Sequence, residues 1–205
     1  MENQAPEKKK NVFLISGLVF VVLFILPLGS IYFLNSGKEY RRVSLSEMED
    51  KGKVPAFQFN NQNNITISPE KLRGKVAVVN FISEDESMAK FQTDRLSLIH
   101  DSYNDTEDVV FLSFVKNDTS QNLISKASNL GITDHKQWYL LGTNDADWNN
   151  IPMSTFQIED AEKGIALIDT SMTIRRHYDI NSDPDMGRLV EQIAIVIPKQ
   201  KRRGM

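Results

Sequence analysis

The sequence contains no cysteine. This absence excludes disulfide bonds, thiolate nucleophiles, iron–sulfur clusters and cysteine-ligated zinc or copper. Neither sign of charge is in large excess, because the sequence has 27 Asp and Glu residues and 24 Lys and Arg residues. No basic stretch is interleaved with aromatic residues, so nucleic acid is not an expected partner. The length of 205 residues indicates one globular domain with some additional chain.

The common catalytic and metal-binding motifs are also missing. There is no G-x-S-x-G nucleophile elbow, no P-loop and no G-x-G-x-x-G. The three histidines, His100, His135 and His177, show no H-x-H or H-x-x-x-H spacing. We therefore expect no enzyme activity, no cofactor and no small-molecule substrate.

One long apolar run is present. Residues 12–34 contain 23 positions without a charge, and a helix of about 20 residues crosses a hydrocarbon core. Lys8, Lys9 and Lys10 precede the run and favour a cytoplasmic N-terminus for residues 1–11, although Lys38, Arg41 and Arg42 reduce the asymmetry. An uncleaved signal anchor is the favoured interpretation, and a cleaved signal peptide is the alternative.

The rest of the chain divides into a polar tether at residues 35–53, a folded domain at 54–198 and a basic tail at 199–205. The domain opens with alternating apolar residues around NNQNN, which predict a small hairpin. A capped helical turn follows near Pro69. The run VAVVNFI then predicts a central strand buried on both faces.

A helix is predicted from about Ser83 to His100, followed by a strand at 109–115 and a helix capped by Asp118 and Thr119. Residues 138–141 form a short strand, and residues 142–160 are predicted to be loop-rich with a helical turn near 146–150. Two further strands are joined at Thr170 and Ser171, and a last helix starts at Asp183. This order predicts an α/β sandwich of the thioredoxin type, with a mixed sheet between helices.

The junction after the central strand reads Ser83-Glu84-Asp85-Glu86. The S-x-x-E spacing predicts a capping box, with the acidic residues favoured by the helix dipole. The alternative is a hard-cation site formed by Glu84, Asp85 and Glu86, joined by Asp160 or Glu162. Met88 fits the apolar series of the following helix better than a copper thioether site.

Particular residues of the domain resemble the Sco/SenC family. The matching segments, in order, are Val54-Pro55-x-Phe57-x-Phe59, Leu72-Arg73-Gly74-Lys75, Val79-Asn80-Phe81-Ile82, Asp118-Thr119, Trp138-x-Leu140-Leu141-Gly142, Leu167-Ile168-Asp169, Ile174-Arg175 and Tyr178-Asp179. The resemblance covers roughly residues 54–197. It implies a membrane-anchored thioredoxin-like domain related to proteins that deliver copper to cytochrome c oxidase or prepare its copper site.

The resemblance also implies where the family's reactive groups would lie. Its C-x-x-x-C-P motif falls on Glu86 and Lys90 when aligned forward from the strand, or on Asp85 and Ala89 when aligned backward from the helix. Its histidine falls on Ala161. This sequence has no sulfur and no imidazole at these positions. Copper(I) prefers sulfur ligands and disulfide exchange needs a thiolate, so we expect neither activity.

The combined expectation is a redox-inactive Sco/SenC-like protein with a single span in a bacterial inner membrane and its domain in the periplasm. Its expected partners are the lipid bilayer and a respiratory membrane complex, such as cytochrome c oxidase or its assembly intermediates. The alternative is a protein that binds copper or calcium through a site made of acidic, His or Met side chains.

Overall fold

The computed structural model describes residues 7–116 and 120–197. The chain divides into two compact units, residues 1–43 and residues 44–205. The predicted cap at Asp118 and Thr119 and the basic tail at 199–205 lie outside the described residues.

The N-terminal unit is helical from Glu7 onward. Helix α1 spans Glu7–Phe20, a π-helical turn spans Val21–Ile25, and α2 spans Leu26–Ser46. The widened turn ends just before Pro27, which has no N–H to donate and disturbs regular helical bonding. Within the described residues, one stretch, Leu14–Tyr32, is long and apolar enough to cross a membrane. Both an anchor and a signal sequence have this character.

The second unit alternates strands and helices as the sequence predicts. The strands are β1 Phe59–Asn60, β2 Thr66–Ile67, β3 Val76–Phe81, β4 Val109–Lys116, β5 Trp138–Thr143, β6 Gly164–Ile168 and β7 Ile174–Asp179. The helices are α3 Pro69–Leu72, α4 Glu86–Asp101, α5 Ser120–Asn129, α6 Asp145–Phe156 and α7 Asp183–Val196. The predicted hairpin is confirmed, with Phe59 opposite Ile67.

Five strands form one mixed sheet in the order β5-β4-β3-β6-β7. β3 lies at the centre and all six of its residues are buried, as its continuous apolar run predicts. β3, β4 and β5 run parallel, while β6 and β7 run antiparallel to their neighbours. β3, β4 and β5 therefore finish, and β6 begins, at the same end of the sheet, which we call the site end.

The sheet carries a hydrophobic core on each face. One core contains residues of α4, α5 and α7, and the other contains residues of α3, α6 and the segment around β1. The second core is rich in phenylalanine, with the rings of Phe81 and Phe114 stacked at 5.0 Å. These layers establish an α/β thioredoxin-like sandwich, which confirms the predicted fold class.

Residues 142–160 are not loop-rich, and that prediction was wrong. They contain α6, whose N-cap Asn144 accepts a 2.8 Å hydrogen bond from the backbone N–H of Asp147. Pro152 lies inside the helix and is buried together with Ile151 and Phe156. Proline usually breaks a helix, so its position hides the helical pattern in the sequence. Tertiary burial of this face offsets the lost backbone hydrogen bond.

The connection between β6 and β7 also differs from the predicted two-residue turn. The Asp169 N–H donates to the Thr173 carbonyl, so the loop has three residues, 170–172. The Asp169 carboxylate accepts hydrogen bonds from the backbone N–H groups of Ser171 and Thr173. Met172 has a φ of 61° and is buried. A left-handed residue after two turn residues is the usual three-residue hairpin, although glycine normally occupies that position.

The predicted tether is only partly separate from the domain, because the compact unit begins at Ser44 rather than at Val54. Residues 44–54, which we call the strap, begin with the last three residues of α2, and residues 49–53 run along the start of β7. Backbone N–H groups of Glu49 and Lys51 donate to carbonyl groups of β7, and Met48 is buried in the core. Polar composition suggested a solvated linker, but the strap's backbone groups pair with an otherwise open strand edge.

Candidate functional site

The candidate site is the site end of the sheet, where the chain leaves β3 and enters α4. The N-cap of α4 is Asp85, whose carboxylate accepts a 2.8 Å hydrogen bond from the backbone N–H of Met88. Ser83 Oγ accepts a 3.2 Å hydrogen bond from the Asp85 N–H. The predicted capping box was therefore wrong, because the turn at Ser83 delays the start of the helix by two residues.

The residues at the family's cysteine positions lie around the first turn of α4. Asp85 and Glu86 are exposed at the helix start, and the Asp85 carboxylate is occupied as the cap. Ala89 is 4% exposed and packs in the core, whereas Lys90 is exposed and forms an ion pair with Asp94. Asp85 thus caps the helix, Ala89 packs in the core and Lys90 forms a surface ion pair. None of these side chains is a redox-active group.

The buried side chain of Gln92 closes the site, in the sense that its hydrogen bonds hold the surrounding segments together. Its side chain is 1% exposed, and its Oε1 accepts a 2.8 Å hydrogen bond from the Ser83 N–H. Its Nε2 donates to the Phe81 carbonyl at 3.0 Å and to the Glu162 carbonyl at 2.6 Å. One amide therefore joins the end of β3, the junction and the loop before β6, with its oxygen and both of its N–H groups in use.

The predicted histidine position, Ala161, lies in that same loop and packs against the second core. Its neighbour Glu162 accepts a 3.2 Å hydrogen bond from Ser83 Oγ. The structure thus brings the loop at 159–163 against the β3–α4 junction, where the resemblance to the family places it. Here the amide of Gln92 and the hydroxyl group of Ser83 join the two segments by hydrogen bonds.

The acidic residues of the junction do not converge. Glu84 forms a 2.9 Å ion pair with Lys116 of β4, which also pairs with Asp145 of α6 at 3.4 Å. The hydrogen bond to Glu84 raises the pKa of the Lys116 ammonium. Asp160 is paired with Lys163 at 2.9 Å, and this contact lowers the pKa of the Asp160 carboxyl. Across residues 7–116 and 120–197, no three or more His, Asp or Glu side chains form a metal-binding group.

The three histidines lie apart from one another, and one of them, His177, lines a cavity together with Glu159, Asp160 and Lys163 of the loop at 159–163. His100 Nε2 lies 3.2 Å from an Asp134 carboxylate oxygen. His135 contacts the Ile132 carbonyl. His177 Nε2 lies 2.8 Å from the Phe156 carbonyl, which only accepts, so this nitrogen carries the proton. Burial lowers the pKa of the His177 imidazole. His177 lines a cavity of about 430 Å³ beside the last hairpin.

Sequence reasoning missed Gln92 and Lys116, the two residues that organise the site end. Gln92 had a detectable signal, because it occupies a core-facing helical position between Ala89 and Leu96, where an apolar residue is usual. Lys116 is the last residue of its strand. Its partners lie on other elements, so nothing near it in the sequence indicates the pairing.

The comparisons with known proteins agree with the fold. No protein-family model matches the sequence, and no curated protein matches it. Among solved structures, a SCO1/SenC family lipoprotein from Bacillus anthracis str. Ames is 22% identical, with a TM-score of 0.63 over 75% of this chain and 99% of that one. BsSco, described as a member of the Sco family of cytochrome c oxidase assembly proteins, is 19% identical, with a TM-score of 0.60 over 71% and 93%.

A third similar structure, Arabidopsis thaliana ScoI with copper bound, is 15% identical and has a TM-score of 0.55 over 70% of this chain and 99% of that chain. Thiol–disulfide oxidoreductases of the thioredoxin family are similar at comparable levels. The chain therefore has a thioredoxin-like fold. The predicted resemblance to the Sco/SenC family is confirmed at the level of that fold.

Proposed function

We propose that this chain is a membrane-anchored accessory or assembly protein of a respiratory membrane complex, such as cytochrome c oxidase. It acts through protein contacts and carries no thiol or copper chemistry of its own at the family's site. In this proposal residues 12–34 cross a bacterial inner membrane once, with the N-terminus in the cytoplasm and the domain in the periplasm. The lipid bilayer and the respiratory complex are its partners.

One observation carries the proposal: a domain with the fold that Sco proteins share has a polar, hydrogen-bonded network at the junction where the resemblance to the Sco/SenC family implies their reactive groups. A ligand or redox site needs side chains that are available to react. Here Gln92 uses its oxygen and both N–H groups internally, and Glu84 is paired with Lys116. The remaining surfaces and the membrane helix are then the parts able to contact a partner.

The comparisons support the choice of partner. BsSco is described as belonging to a family of cytochrome c oxidase assembly proteins. This chain covers 93% of that structure, so the likeness extends over nearly the whole neighbouring domain. This chain has a similar fold but different side chains at its site. The combination supports a protein that binds a respiratory complex without thiol or copper chemistry.

Co-purification tests the partner. The full chain, tagged at one end and expressed in its own host, is extracted in a mild detergent and captured. We expect subunits of a respiratory complex in the eluate and their absence from an eluate of an equally tagged, unrelated single-span protein. Recovery of no respiratory component would overturn the proposed partner.

Titration tests the proposed lack of metal chemistry. The full chain in detergent is titrated with copper(I) and with calcium, beside the variant Glu86→Ala. We expect no binding at micromolar or tighter affinity in either protein. Tight binding that disappears in Glu86→Ala would contradict this part of the proposal and favour the acidic metal site instead.

A further inference from the structure

Helix α4 exposes large apolar side chains on its outer face. Phe91 and Leu98 are 40% and 72% exposed. Seven residues make almost two full turns, so these two side chains lie on one face of the helix, about 10 Å apart along its axis. Met88, one turn before Phe91, is partly exposed. The buried residues of the helix, such as Leu96, pack in the first core from another face. We call Met88, Phe91 and Leu98 the α4 stripe.

Exposed apolar side chains on helices α5 and α6 occur singly. Ile124 of α5 and Met153 of α6 are each the one large apolar side chain that its helix exposes, within the described residues. A single exposed apolar residue is ordinary on a protein surface. Several on one face of a helix, repeated every one or two turns, are typical of a helix that packs against another helix. The α4 stripe therefore indicates a contact face for a helical partner.

Acidic side chains border the α4 stripe. Helical geometry places Asp94 and Asp101 along one side of it. Asp183, at the start of α7, lies on the other side, where it pairs with Arg95 at 2.7 Å. Lys90 pairs with Asp94. The border thus holds three acids and two cations, and both cations already have a carboxylate partner.

The charge of the surrounding domain has the same sign. The start of α4 adds three exposed acids, Glu84, Asp85 and Glu86. Residues 44–197 hold 24 acidic and 14 basic residues, a net charge of −10. An acidic surface attracts a basic partner and disfavours an acidic one. A second copy of this domain would bring acidic residues against acidic residues, so charge complementarity favours a different, basic partner.

We propose that the α4 stripe binds an amphipathic helix of a partner protein, and that this helix carries Lys and Arg beside its apolar face. Its apolar side chains cover Phe91 and Leu98, and its cations contact the acidic border. The inference rests on the proposed function only in that the chain acts through protein contacts. Burial of the apolar side chains supplies most of the affinity, while the acidic border selects a basic helix over a neutral one.

Photocrosslinking in the native host tests this face. In the full chain, p-benzoylphenylalanine replaces Phe91 or Leu98, and in matched controls it replaces Ile124 or Met153. Membranes are irradiated, and the peptide attached at each position is sequenced by mass spectrometry. We expect the two stripe positions to attach to one amphipathic segment rich in Lys and Arg, with roughly tenfold less of that product at the control positions. The yield should fall in high salt, which screens the acidic border.

Several outcomes of the crosslinking would overturn the docking face. They are equal products at all four positions, no protein product at Phe91 or Leu98, and a yield that does not change with salt. Attachment of the stripe to lipid, to another copy of this chain or to an acidic segment would overturn it as well.

Substitution tests the face without a photoreactive label. Phe91→Ser combined with Leu98→Ser should lower the co-purification of the partner identified by crosslinking about tenfold. The control, Ile124→Ser combined with Met153→Ser, should leave it unchanged. Circular dichroism shows whether both variants remain folded, and equal recovery of the partner by the two folded variants would overturn the proposal. If the stripe variant unfolds, the crosslinking result decides.

The identity of the attached protein separates this inference from the proposed function. Attachment of the stripe to a basic amphipathic segment of a protein outside the respiratory chain supports the docking face and contradicts the proposed partner. Attachment of a respiratory subunit only at the control positions contradicts the docking face and supports the proposed partner.

Discussion

The site end and the strap both join distant parts of the chain, but they use different interactions. At the site end, the neutral amide of Gln92 is 1% exposed and makes three hydrogen bonds to backbone groups. In the strap, Glu47 is 30% exposed and pairs with Arg176 and Arg188. Buried hydrogen bonds are costly to lose, whereas ion pairs whose side chains are about a quarter to a third exposed are weakened by solvent and salt. The closed site should therefore be the more stable of the two junctions.

The largest expected effect comes from removing the buried amide. Gln92→Ala leaves the Ser83 N–H and the Phe81 and Glu162 carbonyls without their partner, so we expect a loss of about 3 kcal/mol in the free energy of unfolding. Urea denaturation of the full chain in detergent, followed by tryptophan fluorescence, measures it. Gln58→Ala, at an exposed glutamine, is the control and should change stability by less than about 0.5 kcal/mol. Similar losses in both variants would contradict the role of Gln92.

Removing the central acid of the strap should have a smaller effect. Glu47→Ala deletes the contacts to Arg176, Arg188 and Gln192, and we expect a loss of about 1–2 kcal/mol that shrinks as salt is added. The exposed Glu49, which pairs with Lys51, provides the control variant Glu49→Ala. A salt-independent loss as large as that of Gln92→Ala would remove the distinction between the two junctions.

Removing the charge of Lys116 tests whether ion pairs or the buried amide stabilise the site end. Lys116→Gln removes the ion pairs with Glu84 and Asp145, whose side chains are 63% and 68% exposed. Such exposed pairs contribute little, so we expect only a small loss in the free energy of unfolding, most visible at low ionic strength. A cost comparable with that of Gln92→Ala would mean that charge, and not the buried amide, closes the site.

The smallest expected effect concerns pH. Burial holds the pKa of His177 below its ordinary value, so the unfolded chain takes up a proton first as the pH falls through about 6.5. His177 should therefore contribute stability above that pH and lose it on acidification toward the folded-state pKa. Unfolding midpoints measured across this window should fall less steeply in His177→Gln. An identical slope in both proteins would contradict the assignment.

Much of the fold could be predicted from the sequence because its signals are local. The apolar run of β3, the helical spacing of α4 and the turn residues around the first hairpin each depend on neighbouring positions. The prediction was wrong where tertiary burial overrides local preference. Pro152 lies inside α6, and the polar strap pairs with β7 instead of remaining a linker.

The candidate site, like the fold, could be predicted from the sequence only in part. The lack of cysteine at the junction was evident from residue identities, and so was the acidic start of α4. The contact between the junction and the loop at 159–163 was inferred only through the resemblance to the Sco/SenC family. The groups that make the contact, Gln92, Ser83 and Glu162, are up to 79 positions apart along the chain. Their pairing depends on the packing of the sheet and α4.

By itself, the sequence determined that this protein has no thiol chemistry and that it contains a run long enough to cross a membrane. Without cysteine there is no thiolate in any conformation, and an uncharged run of 23 residues is long enough to span a bilayer however the domain folds. Only the tertiary structure decided that a buried glutamine joins the junction to the loop at 159–163 and that the strap pairs with β7. Hydrogen bonds between groups so far apart exist only once the packed layers bring them within about 3 Å of each other.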